Sequence, residues 1–77
     1  MTEPIISRQA ERGQRVVAAR QALGWRQVDL ASRVLLSLGT IRSIERGRTT
    51  PHRATLRVLE KALGLDEGAL DLEEGSL

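Results

Sequence analysis

The feature that most constrains this chain is a break in a helical pattern. From Gln27 to Val34 the apolar residues Leu30, Ala31 and Val34 recur at three- and four-residue spacing, and Ile41 and Ile44 repeat that spacing before Gly47. This period fits a helix face; in a strand, alternate residues would share a face. Only Leu35 to Ser37 are left to turn the chain between the two patterns. Ser37 can cap the second helix of the pair. Two short helices joined by so short a turn pack against one another at an angle. Val34, Leu36, Ile41 and Ile44 form the wedge between them, and small Ala31 permits close approach.

The rest of the chain supplies helices around that pair. Ser7 can cap a first helix running to about Leu23, with Val16, Ala19 and Leu23 inward and Gly24 as its C-terminal stop. Gly13 weakens that helix by roughly 1 kcal/mol relative to alanine. Thr50-Pro51 reads as a fourth start, threonine as N-cap and proline at the first helical position, leading to Leu56, Leu59, Leu63 and a stop at Gly64. A weak fifth turn near Asp66 to Leu72 places Leu65, Leu70 and Leu72 on one side. The expected architecture is therefore all-α, a compact bundle of about five short helices. Residues 1–6 read as a loose arm, 7–72 as the folded domain and 73–77 as an acidic tail. Trp25, the one aromatic residue, is expected to pack between the first two helices and not to serve as a stacking platform.

Several function classes drop out on composition. There are no cysteines and one histidine, His52, so no disulfide framework and no Cys- or His-based metal cluster is expected. No apolar run exceeds four residues and no signal-peptide pattern opens the chain, so we expect a cytoplasmic protein with no membrane span. No nucleophile, base and orienting partner recur, and no glycine-rich phosphate loop is present; neither catalysis nor a cofactor is expected.

Charge is more informative. The net value of +2 hides a division, because all twelve Lys and Arg lie between Arg8 and Lys61. The first 61 residues carry a net +7 and the last sixteen a net −5. A basic body suits a polyanion, and the arginine bias favours forked contacts to phosphate or guanine. Arg57 and Lys61 read as ordinary surface, and His52 as a surface histidine in the first turn of the fourth helix.

At these residues the sequence resembles the Cro/repressor (XRE-like, lambda-repressor-like) family of helix-turn-helix proteins. The likeness runs from Gly13 to about Leu65 through Gly13 with Arg20, "WRQVDLA" from Trp25, "TIRSIERG" from Thr40, Pro51 and "LRVLEKALGL" from Leu56. The resemblance implies five helices, a dimer on a two-fold operator in double-stranded DNA, and transcriptional control without catalysis. Carried over by position, it makes Leu38, Gly39, Arg42 and Ser43 base-facing. Arg26, Gln27, Arg46, Arg48 and Arg53 fall where phosphates are met, and Arg20 with Glu45 forms a structural pair. The homodimer interface is expected at Leu65, Leu70 and Leu72, which have no further helix to cover them.

Three departures stand out. Leu35 occupies a turn position that calls for positive φ and is usually glycine. Arg26 replaces the usual Ser or Thr cap, forfeiting about 1 kcal/mol. Leu38 and Gly39 cannot make the bidentate base contacts of Gln, Arg or Asn, although Leu38 suits a thymine methyl. A second reading is therefore kept open: a protein-interaction module of antitoxin or anti-repressor type, gripping a protein partner through Leu35–Leu38.

Overall fold

A computed structural model describes residues 8–71. The arm at 1–6, the Ser7 cap, Leu72 and the tail at 73–77 lie outside the described residues. Four helices follow in order: α1 (Arg8–Ala22), α2 (Gln27–Val34), α3 (Leu38–Glu45) and α4 (Arg53–Leu63). Among the described residues the fold is all-α, with four helices where about five were expected. The proposed fifth is a turn at 67–70.

One core sits where the four helices meet. Val16 from α1, Leu30, Ala31 and Val34 from α2, Ile41 and Ile44 from α3, and Leu56, Leu59 and Leu63 from α4 are all buried. These are the residues at helical spacing, and removing their apolar surface from water is the main favourable term in folding. Ala19, Trp25, Leu36 and Leu65 pack against this core from its margin. Arg33 stacks over the Trp25 ring at 4.3 Å from its centroid. Leu23 was expected inward but is exposed. The helix ends at Ala22, and Gly24 in the left-handed region turns the chain away before Leu23 can reach the core.

Gly13 has a packing role that outweighs its low helix propensity. A Cβ there would lie 2.3 Å from the Glu45 carbonyl oxygen and 2.6 Å from that of Ile44. Helix α1 thus crosses the end of α3 with its backbone nearly in contact, and only glycine fits.

The start of α4 differs from expectation. Its N-cap is His52, whose carbonyl accepts the first helical bond from Leu56, and the helix begins at Arg53. Thr50 does not cap it: the helix begins three residues later, and the Thr50 hydroxyl accepts instead from the side-chain amide of Gln9 on α1. Pro51 is half-buried beside that contact.

The end of the described chain is also a correction. Leu70 is fully buried, so its own chain covers it and it cannot face a second copy. Its cover comes from groups the apolar pattern does not display. The Arg12 guanidinium donates to the Leu70 carbonyl and Arg15 to that of Ala69, each at 2.9 Å. Glu60, 2% exposed, accepts from the N–H groups of Leu70 at 2.8 Å and Gly68 at 3.1 Å. Arg57, read as surface, forks between Glu60 and Asp71 within the same chain and approaches Glu67. Burial pushes the Glu60 carboxyl up, but the two N–H groups and Arg57 outweigh it and hold the group below its ordinary 4.5. The Asp71 carboxyl is likewise held below its ordinary value, chiefly by the hydrogen bonds from Arg57.

Candidate nucleic-acid interface

The turn between α2 and α3 is built on Leu35. It adopts φ 59° and ψ 36°, the left-handed conformation that glycine takes at no steric cost. The N–H groups of Leu35 and Leu36 both close on the Ala31 carbonyl. The Leu35 side chain is 90% exposed, so it gains no burial to offset the strain. Ser37 then caps α3. Its Oγ accepts from the Thr40 N–H at 3.0 Å and lies 2.8 Å from the Thr40 hydroxyl. At the other end Gly47 at φ 72° terminates α3 and packs against α1, where a Cβ would meet the Ala10 backbone at 2.8 Å.

Helix α2 starts without a side-chain acceptor on its N-cap, because a guanidinium can only donate. Asp29 makes the contact in reverse. Its carboxylate accepts from the Arg26 N–H at 2.8 Å and from the Arg26 guanidinium at 3.1 and 3.2 Å. The Asp29 carboxyl is held below its ordinary value by these bonds. Arg26, matched to a phosphate position, is thus exposed but tethered to its own helix.

Arg20 and Glu45 form a forked pair at 2.7 and 3.1 Å that ties α1 to the end of α3. Arg20 also donates to the Trp25 carbonyl at 2.8 Å, joining the α1–α2 loop to the same point. Gln27 joins this pair. Its amide nitrogen donates to Glu45 Oε1 at 2.8 Å, and its oxygen accepts from Arg42 Nε at 3.4 Å. A chain of contacts therefore runs from buried Arg20 through Glu45 and Gln27 to exposed Arg42 on α3. By its position in the sequence Gln27 reads as a phosphate residue alone, and no pattern along the chain reveals the 15-residue link from Gln27 to Arg42.

The other residues singled out from the sequence are placed unequally. Gly39 is exposed and open, a Cβ there meeting only Ser37 Oγ at 3.9 Å. Leu38 and Ser43 are half-buried, and Arg42, Arg46 and Arg48 are exposed. Arg53 is exposed at the start of α4, with Asp71 3.9 Å away. The structure thus brings Gln27 and Arg42 together from α2 and α3. Arg46 and Arg48 sit at the Gly47 end of α3, and Arg53 begins α4.

Compared with models of known protein families, residues 16–70 match the helix-turn-helix family. That covers most of the 77 residues. The chain belongs to the helix-turn-helix family of Cro/XRE-like proteins. No curated protein and no solved structure matches it. As a family member it is a DNA-binding helix-turn-helix protein. In this helix-turn-helix domain α2 is the bracing helix of the pair and α3 the one in the recognition position. Among the described residues no helix is long and apolar enough to cross a membrane, and no cluster of His, Cys, Asp or Glu could hold a metal ion.

Proposed function

We propose that this helix-turn-helix protein is a sequence-specific transcriptional regulator that acts as a dimer on a two-fold operator. The observation that carries this reading is the exposed surface of α3: open Gly39 and Arg42 one turn apart, with Arg46 and Arg48 at the helix end. Such a surface suits a major groove, where arginines reach both base edges and flanking phosphates. Leu38, Gly39, Arg42 and Ser43 then face bases, and Arg26, Gln27, Arg46, Arg48 and Arg53 face phosphates. One such helix offers few base contacts. Two copies about one DNA turn apart double them, which is the argument for a dimer. With Leu70 inside the core, exposed Leu23, Val28, Leu35 and Val58 are the larger apolar groups left for pairing among the described residues, beside half-buried Leu65.

The test is selection of binding sites from a random duplex pool, followed by titration of the selected duplex at several salt concentrations. The expected result is a preferred two-fold site bound by two protomers. The log–log salt slope should be several units, from about −0.9 for each phosphate neutralised. A flat salt response with no preferred site would remove this function. One observation favours a second reading: Leu35 is strained and almost fully exposed, a suitable grip for a protein partner. Tight protein binding that survives high salt and is abolished by Leu35→Ser would support that module instead.

A further inference from the structure

We propose that Gln27 is the positioning residue for Arg42, and that it sets the Arg42 guanidinium end-on to one guanine in each half-site. This deepens the duplex reading above and rests on it. The anchor is Glu45, whose side chain is 4% exposed. Arg20 forks onto both of its oxygens, and Gln27 Nε2 joins Oε1 at 2.8 Å. A carboxylate accepts and cannot donate, so the Gln27 amide has one permitted orientation, its NH2 toward Glu45 and its Oε1 outward. The outward oxygen lies 3.4 Å from Arg42 Nε. The buried ion pair thereby determines the direction in which an exposed arginine leaves its helix.

The choice of atom matters. With Nε given to Gln27, Arg42 keeps its two terminal nitrogens for a ligand. Two parallel donors match guanine O6 and N7 in the major groove. A phosphate also takes a forked guanidinium, but a guanine edge is fixed in the base stack and admits the fork from one direction, so a direction set in advance matters more for the base. Gly39 stands three residues before Arg42, on the same face of α3, and adds no side chain there. A base edge can approach beside the guanidinium. Holding Nε in advance also reduces the rotamer freedom that Arg42 would lose on binding.

The experiment uses the full chain and the duplex it selects from a random pool. Guanines of one half-site are replaced in turn by 7-deazaguanine, which lacks the N7 acceptor. For the unaltered protein, one position should cost about tenfold in affinity, the scale of a good bidentate contact. Arg42→Ala should be insensitive at that position. Gln27→Met keeps the side-chain length but removes the amide, and it should cut the penalty there to less than about threefold. Gln27→Ala gives the same reading should the methionine variant melt below the assay temperature. Arg48→Ala, a phosphate control, should weaken every duplex and leave the penalty whole. Retention of the full penalty by the Gln27 variants would make Gln27 a phosphate contact alone and overturn the proposal. So would retention by Arg42→Ala, or a selected site with no N7-sensitive guanine. A pool that yields no preferred duplex would instead overturn the duplex reading itself.

Discussion

In one cluster Glu45 holds Arg20 and Gln27; in another Glu60 holds Arg57 and the N–H groups of Gly68 and Leu70. Both are buried carboxylates met by an arginine, and both tie distant parts of the chain together. They differ in their remaining partner. Glu45 accepts its third hydrogen bond from a side chain that continues outward to α3. Glu60 gives its second oxygen to backbone, so the cluster ends in the segment it fixes. The same chemistry can thus deliver an oriented group to the surface or close a core. The third partner of the ion pair, side chain or backbone, decides between the two.

The sharpest way to break this comparison is Leu70→Asp. If the Glu60 cluster closes the core, an unpaired carboxylate in place of a fully buried leucine should cost more than about 4 kcal/mol. Urea or thermal unfolding by circular dichroism should then find the chain largely unfolded. A folded variant that merely fails to pair would restore Leu70 as an interface residue.

Next in size are the two carboxylates themselves. Glu45→Ala takes the carboxylate from buried Arg20, and Glu60→Ala leaves the N–H groups of Gly68 and Leu70 without their acceptor while Arg57 keeps Asp71. Each should cost about 3 kcal/mol in thermal or denaturant unfolding. Their effects on DNA should separate. At a temperature where both are folded, Glu45→Ala should alter base preference in a selected-site assay, and Glu60→Ala should leave it unchanged. Equal loss of preference in both would erase the distinction.

Acid sharpens it further. The Glu60 and Asp71 carboxyls lie below their ordinary values of 4.5 and 3.8 in the folded chain. A depressed folded value stabilises at and above the ordinary value, and that gain is lost as pH falls through the folded one. The melting temperature should hold from about pH 7 to 5 and decline below about pH 4. Glu60→Gln should flatten the decline, and an unchanged acid limb would count against the cluster's role.

The smallest effect belongs to the turn. Leu35→Gly should be neutral or stabilising by up to about 1 kcal/mol, because the side chain is exposed and its backbone is left-handed. A loss larger than that, measured by the same melts, would show burial of Leu35 in an assembly.

The apolar spacing of α2, α3 and α4 was legible because helix faces repeat along the chain, and Leu35 stood out because its turn calls for positive φ. The second cluster was legible only in principle. Glu60 sits four residues after Leu56 and within the inner stripe of Leu59 and Leu63, and Arg12 sits four before Val16. Charged residues at core positions of the helical period signal a buried pair, but the period does not name the partner. That partner was the backbone of 68–70, which has no sequence signature. Leu70 therefore looked uncovered. Thr50-Pro51 misled for a similar reason, since a cap pattern cannot show that the threonine hydroxyl meets Gln9 of α1 and that the helix starts only at Arg53. The link from Gln27 to Arg42 depends on how two helices cross, and helix periodicity is silent on crossings.

The hydrogen bond from Arg12 to the Leu70 carbonyl spans 58 positions of the chain. Protein synthesis runs from the N-terminus, and long-range contacts wait for both partners. A nascent chain can therefore carry every residue of the helix-turn-helix and still lack the leucine that closes its core. The α1–α3 crossing at Gly13 and the Arg20–Glu45 pair are available earlier, so the recognition helix has its brace before it has its floor. A chain that stops short of Leu70 lacks both a fully buried core leucine and the carbonyl that Arg12 meets.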